Sequence, residues 1–185
     1  MTNQEKNSFK FTPIIKKPIG FLSKNINNFD CNYWIDKCYK YRNKNPYSET
    51  RSNVIGYQSS SDLQNHPEFY PLLNIILKEI NMTTPITNNH ISGMWINISP
   101  QGAWNLPHTH PPSGNIFYSG VFYLKTPKNC GDLSFLNPLD INQAYHHHPS
   151  PKDLVLFAGN LPHLVGPNLS NEDRISIAFN YEIRI

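Results

Sequence analysis

The 185 residues fit one domain spanning 1–185. With 38% hydrophobic, 12% aromatic and 16% charged residues, the composition excludes a disordered or collagen-like chain. The net charge is only +3, and apart from Lys37, Lys40, Arg42 and Lys44 the cations are scattered, so no nucleic-acid-binding stripe is evident.

Sixteen prolines and abundant Asn favour turns joining short strands over long helices. Cys31, Cys38 and Cys130 are odd in number and lack paired metal spacing, and the first residues carry no apolar signal core. No apolar run approaches the roughly 18 residues of a membrane span. A soluble, reduced, cytoplasmic protein is expected.

In chain order, Phe9–Ile15 predicts a first strand or edge segment. From Asp30 to about Arg42, Trp34, Ile35, Cys38 and Tyr41 recur at helical intervals behind an Asp30 N-cap. Residues 43–60 are polar and turn-rich. Ser61 or Asp62 then caps a second helix whose apolar face is Phe69, Leu72, Leu73, Ile76 and Ile80, with Pro71 early in it. Beyond the turn at Asn88 and Asn89 the pattern changes. Ile91–Ser99, Ile116–Lys125, Leu133–Leu136, Leu154–Ala158 and Arg174–Arg184 are short β-prone runs punctuated by Gly, Pro and Asn. The expected fold is mainly β, with an N-terminal helical support region (1–85) and a β-sandwich or barrel core (86–185).

The chemistry concentrates in Asn105-Leu106-Pro107-His108-Thr109-His110-Pro111. Residues two apart on an extended chain face one side, so His108 and His110 can converge. A strand from Asp153 and a turn ending in His163 supply a third donor. Neutral imidazoles suit Fe, Zn, Cu or Ni, and three protein ligands leave coordination positions open. Eleven residues on, Arg174 and Ser176 share one face of a strand whose other face carries Ile175, Ile177 and Phe179. A guanidinium and a hydroxyl projecting together would bind a carboxylate. Only four arginines occur in the chain, which marks Arg174 as a binding residue.

The series His108, His110, His163, Arg174, Ser176 resembles the iron(II) and 2-oxoglutarate dependent oxygenases, whose double-stranded β-helix carries HxD/E, a distant His, and Arg or Lys about ten residues later. NLPHTHPPSGNIFYSGVFYLKTP, GDLSFLNP and PKDLVLFAGNLPHLVGPNLSNEDRISIAFNYEI are similar to its phage and bacterial branch. The resemblance implies a jelly roll holding Fe(II) on His108, His110 and His163, with Arg174 and Ser176 on the distal carboxylate of 2-oxoglutarate. It also implies a cosubstrate-binding tyrosine where Tyr123 stands, and an activity that uses dioxygen to hydroxylate an organic or peptidyl substrate. The pattern departs at His110, where most of the superfamily has Asp or Glu.

Two other readings stand beside it. One is a cupin-type dioxygenase or isomerase, because Gly102 precedes His108-Thr109-His110 at cupin spacing, although the downstream Glu is replaced, with Asn115 nearby. The other is a non-catalytic jelly-roll module. His146, His147 and His148 are expected in a loop without a catalytic role, His66 and His90 outside the strand framework, and Asn97 and Asn105 are left unassigned.

Overall fold

The computed structural model describes residues 22–26, 28–83, 89–110, 116–137 and 140–183. The expected Phe9–Ile15 strand, the Asn88 turn position, Pro111, Asn115 and Arg184 lie outside the described residues. Helix α1 (Cys31–Lys44) begins where expected, with the Asp30 carboxylate accepting from the Tyr33 amide at 3.1 Å. It buries Trp34, Cys38 and Tyr41. The second helix starts later than its expected cap. Leu63–Asn65 and Pro67–Phe69 form separate 3-10 turns, and α2 runs Tyr70–Thr83. Pro67 lacks the amide hydrogen a continuous α-helix through it would need, whereas Pro71 sits in the first turn of α2, where no intrahelical partner is lost.

The strands are β1 (Leu22–Asn25), β2 (Asn53–Val54), β3 (Tyr57–Gln58), β4 (Asn89–Ser99), β5 (Trp104–His108), β6 (Ile116–Lys125), β7 (Leu133–Asn137), β8 (Asp140–His147), β9 (Asp153–Ala158), β10 (His163–Val165) and β11 (Arg174–Ile183). They form two antiparallel sheets, ordered β1-β9-β6-β11-β4-β3 and β2-β5-β10-β7-β8. Several expectations are corrected here. His146 and His147 close strand β8 and do not lie in a loop, since β8 pairs with β7 and its Tyr145 packs on Phe135. His90 belongs to β4, opposite Glu182. The turn-rich segment 43–60 contributes β2 to one sheet and β3 to the other, handing the chain across between Val54 and Tyr57.

Alternation along the strands gives the six-stranded sheet two chemically different faces. Ile175, Ile177, Phe179 and Tyr181, with Met94, Ile96, Ile98, Phe122, Leu154 and Leu156, form the core shared with both helices. The opposite face looks onto the second sheet, where Val155 and Phe157 meet Leu133 and Phe135. No helix among the described residues is long and apolar enough to cross a membrane.

Gly120 lies opposite Phe179 in the β6–β11 register, and a Cβ there would clash with the outer edge of the Phe179 ring. Gly120→Ala is therefore expected to lower unfolding free energy by about 1–3 kcal/mol through overpacking. A chemical-denaturation midpoint equal to that of the parent would refute this packing.

Candidate active site

Three imidazoles converge at one mouth of the space between the sheets. His108 ends β5 and His163 opens β10, and the two are direct cross-strand partners. His110 lies past the end of β5, where its amide donates to the Gly159 carbonyl at 2.8 Å and ties it to the turn that delivers His163. Ring centroids lie 4.2 Å apart for His108 and His163, 5.2 Å for His108 and His110, and 5.3 Å for His110 and His163. One ring nitrogen from each lies within 4.8 Å of the others.

The backbone sets the tautomers. Nδ1 of His108 is 2.8 Å from the Leu106 carbonyl, and Nδ1 of His163 is 2.8 Å from the Leu161 carbonyl. A carbonyl only accepts, so each Nδ1 carries the proton and each Nε2 keeps its lone pair. Burial pulls the His108 pKa down. Burial and the neighbouring His108 bring His110 down to about 4 and His163 down to about 3. All three rings are thus neutral near pH 7, the form a divalent metal requires. Trp95 stacks on His110 with centroids 5.9 Å apart, and Phe157 packs edge-on against His163 at 4.7 Å.

Deeper in the same cavity, which encloses about 800 Å³, stands Arg174. It is 3% exposed, and its guanidinium donates to the Cys130 carbonyl and to Ser99 Oγ, each at 3.1 Å. Among the described residues no carboxylate comes within ion-pair distance of it. Burial accordingly pulls its pKa down, offset in part by Tyr123 and Cys130. Ser176 sits between Asn97 and Tyr123 across the three central strands, and all of them line the cavity beside Arg174. Burial pushes the Tyr123 phenol up, opposed by Arg174, so its hydroxyl stays protonated as a donor. A desolvated cation flanked by hydroxyls, with no protein anion, is a receptor for a carboxylate.

The structure therefore brings His108, His110 and His163 to one point, and Arg174, Ser176 and Tyr123 to one cavity with them. His146, His147 and His148 are elsewhere, beside Ser134, Asp153 and Asp132 respectively. His66 pairs with Asp62 and His90 with Glu182. Of the two unassigned asparagines, Asn97 lines the cavity and Asn105 donates to Ser52 Oγ at 3.1 Å. Sequence reasoning missed Ser52, whose Oγ lies 3.4 Å from His108 Nε2. It also missed Ser119 and Asn180, although extending the Arg174–Ser176–Ala178 alternation by one step reaches Asn180.

Residues 137–180 match the family model described as "Putative 2OG-Fe(II) oxygenase", a stretch holding His163, Arg174 and Ser176. The chain superposes on a prolyl-4-hydroxylase from Pseudomonas putida with a TM-score of 0.64 at 16% identity, covering 90% of this chain and 94% of that one. The fold is that of the iron(II) and 2-oxoglutarate-dependent oxygenases. Two more solved structures share the oxygenase fold. A Trichoplax adhaerens prolyl hydroxylase in complex with a hypoxia inducible factor peptide fragment gives a TM-score of 0.66 at 16% identity, covering 89% of this chain and 84% of that one. HygX from Streptomyces hygroscopicus, with nickel, 2-oxoglutarate and hygromycin B bound, gives 0.65 at 12% identity, covering 93% and 86%. No curated protein matches the chain significantly in sequence.

Proposed function

We propose that the chain is an Fe(II)- and 2-oxoglutarate-dependent dioxygenase that hydroxylates an organic or peptidyl substrate. The observation that carries this reading is the buried Arg174, a cation with no carboxylate within ion-pair distance among the described residues, standing in the same cavity as three neutral imidazoles. The prolyl hydroxylases and HygX named above support it, since HygX holds nickel and 2-oxoglutarate in the same fold.

In this reading Nε2 of His108, Nε2 of His163 and a ring nitrogen of His110 hold the metal. The two Nδ1–H groups, held by the Leu106 and Leu161 carbonyls, fix the ring planes. Arg174 presents its fork to the distal carboxylate of 2-oxoglutarate, and Ser176 and Tyr123 donate their hydroxyl protons to it. Fe(II) bound with 2-oxoglutarate supplies dioxygen activation, and the overall reaction yields succinate, carbon dioxide and a hydroxylated product. Trp95 and Phe157 shield the imidazoles from water. Because all three protein ligands are neutral, the protein leaves the metal's full charge to be balanced by the anionic cosubstrate.

Succinate release should depend on both added Fe(II) and 2-oxoglutarate, and His163→Ala should abolish it together with stoichiometric metal retention. Failure of iron-loaded protein to bind 2-oxoglutarate in anaerobic calorimetry would overturn the assignment.

A further inference from the structure

The Arg174 end of the cavity is matched at its other end by two polar groups that the protein leaves unsatisfied. Ser119 on β6 and Asn180 on β11 are direct cross-strand partners, and both line the cavity. Ser119 is 2% exposed. Its Oγ and the Oδ1 of Asn180 are buried without a hydrogen-bond partner among the described residues. Unpaired buried polar atoms oppose folding and are rare, so such a pair on two residues that line a cavity points to a ligand that completes them.

The placement suits a reacting substrate. Ser119 pairs on its other side with Phe157, which packs on His163. Asn180 pairs on its other side with Gly93, two residues before the Trp95 that stacks on His110. The pair therefore borders the imidazoles, whereas Arg174 lies six residues away along β11, on the order of 20 Å at the rise of a strand.

We propose that Ser119 and Asn180 form a substrate subsite that takes a neutral amide group. This rests on the oxygenase reading above and adds the substrate's chemistry to it. The asparagine carboxamide offers an acceptor oxygen and N–H donors in one plane, the complement of another amide, and the serine hydroxyl adds a donor for the amide oxygen. A carboxylate cannot donate to Oδ1. The neighbouring positions Phe157, Gly93, Val121 and Ala178 are uncharged, which suits a neutral group.

The test is a titration of the full-length, 15N-labelled, zinc-loaded protein with acetamide, N-methylacetamide and 2-propanol, read in parent and variant alike at the backbone amide resonance of Ser119. Both amides should shift that resonance saturably, and Asn180→Leu should bind them roughly tenfold more weakly, a loss near that of one hydrogen bond with its partner left unpaired. A stronger response to acetamide points to a small carboxamide substrate, and a stronger response to N-methylacetamide to a peptide bond. Equal binding by parent and Asn180→Leu, or a 2-propanol response matching the amides, overturns the subsite. Ser119→Ala provides a second readout. Removing an unsatisfied hydroxyl should raise the melting temperature of the metal-free protein by about 2–4 °C, and a lowered one would show that the hydroxyl serves the fold and sink the proposal. None of these measurements needs 2-oxoglutarate. Amide binding without cosubstrate binding would therefore overturn the oxygenase reading alone, and the converse result would overturn the subsite alone.

Discussion

Replacing Arg174 with alanine should weaken 2-oxoglutarate binding by about 30-fold or more, because removing one partner of a buried, hydrogen-bonded charge pair costs roughly 2–5 kcal/mol. The guanidinium is held by the Cys130 carbonyl and Ser99 Oγ, so it is oriented before any ligand arrives and little ordering entropy opposes binding. Arg174→Lys should recover only part of the loss, since an ammonium offers a point charge where the fork gives two parallel hydrogen bonds. Anaerobic calorimetry on iron-loaded protein measures both variants, with thermal unfolding to check that each is folded. An affinity within threefold of the parent would place the carboxylate somewhere other than this guanidinium.

The metal-free protein should lose stability steeply as pH falls below about 6.5. In the native state burial and the neighbouring imidazoles hold His110 down to about 4 and His163 down to about 3, while in the unfolded chain both titrate near 6.5. Below that value the unfolded chain binds protons that the native state refuses, so the stabilisation present above 6.5 drains away on acidification. At pH 5 the loss is on the order of 2 kcal/mol for each of these two rings. Denaturant melts between pH 7.5 and 5 should show this slope. The double variant His110→Gln/His163→Gln should flatten it, and parallel pH profiles for parent and variant would contradict the burial of the two rings. Saturating zinc should raise stability by a nearly constant amount between pH 7.5 and 5, because His110 and His163 are already neutral in the native state across that range and no proton competes with the ion there.

The parts of this architecture readable in the sequence are those where a residue type and a period agree. On β11 the apolar set Ile175, Ile177 and Phe179 alternates with Arg174 and Ser176, and the two faces have opposite chemistry, so strand and orientation were both legible. Helix α1 carried a cap and a 3.6-residue period together. The histidines stood out as a constellation because Arg174 lay downstream at a meaningful spacing. What was missed has physical reasons too. Strand β8 carries Asn142, Gln143 and His146 and, among the described strands, stands at the sheet edge paired with β7 alone, so backbone pairing builds it without an apolar alternation. Strands β2 and β3 are two residues each, below the length at which any period can be seen. Ser119 and Asn180 were hidden by ordinary identity: their meaning comes from being cross-strand partners, and they are 61 residues apart in the chain.

The acceptors that orient His108 and His163 are main-chain carbonyls, at Leu106 and Leu161. Metal-ligand histidines supported by an aspartate or glutamate can lose that support through one codon change. Here any side chain at 106 or 161 that preserves the local backbone leaves the acceptor in place. Leu106 is 43% exposed and so is open to mutational drift, yet the imidazole two residues on keeps its aim. The geometry of the centre is thereby insulated from sequence divergence around it, and the surrounding loops can change specificity without disturbing the three nitrogens.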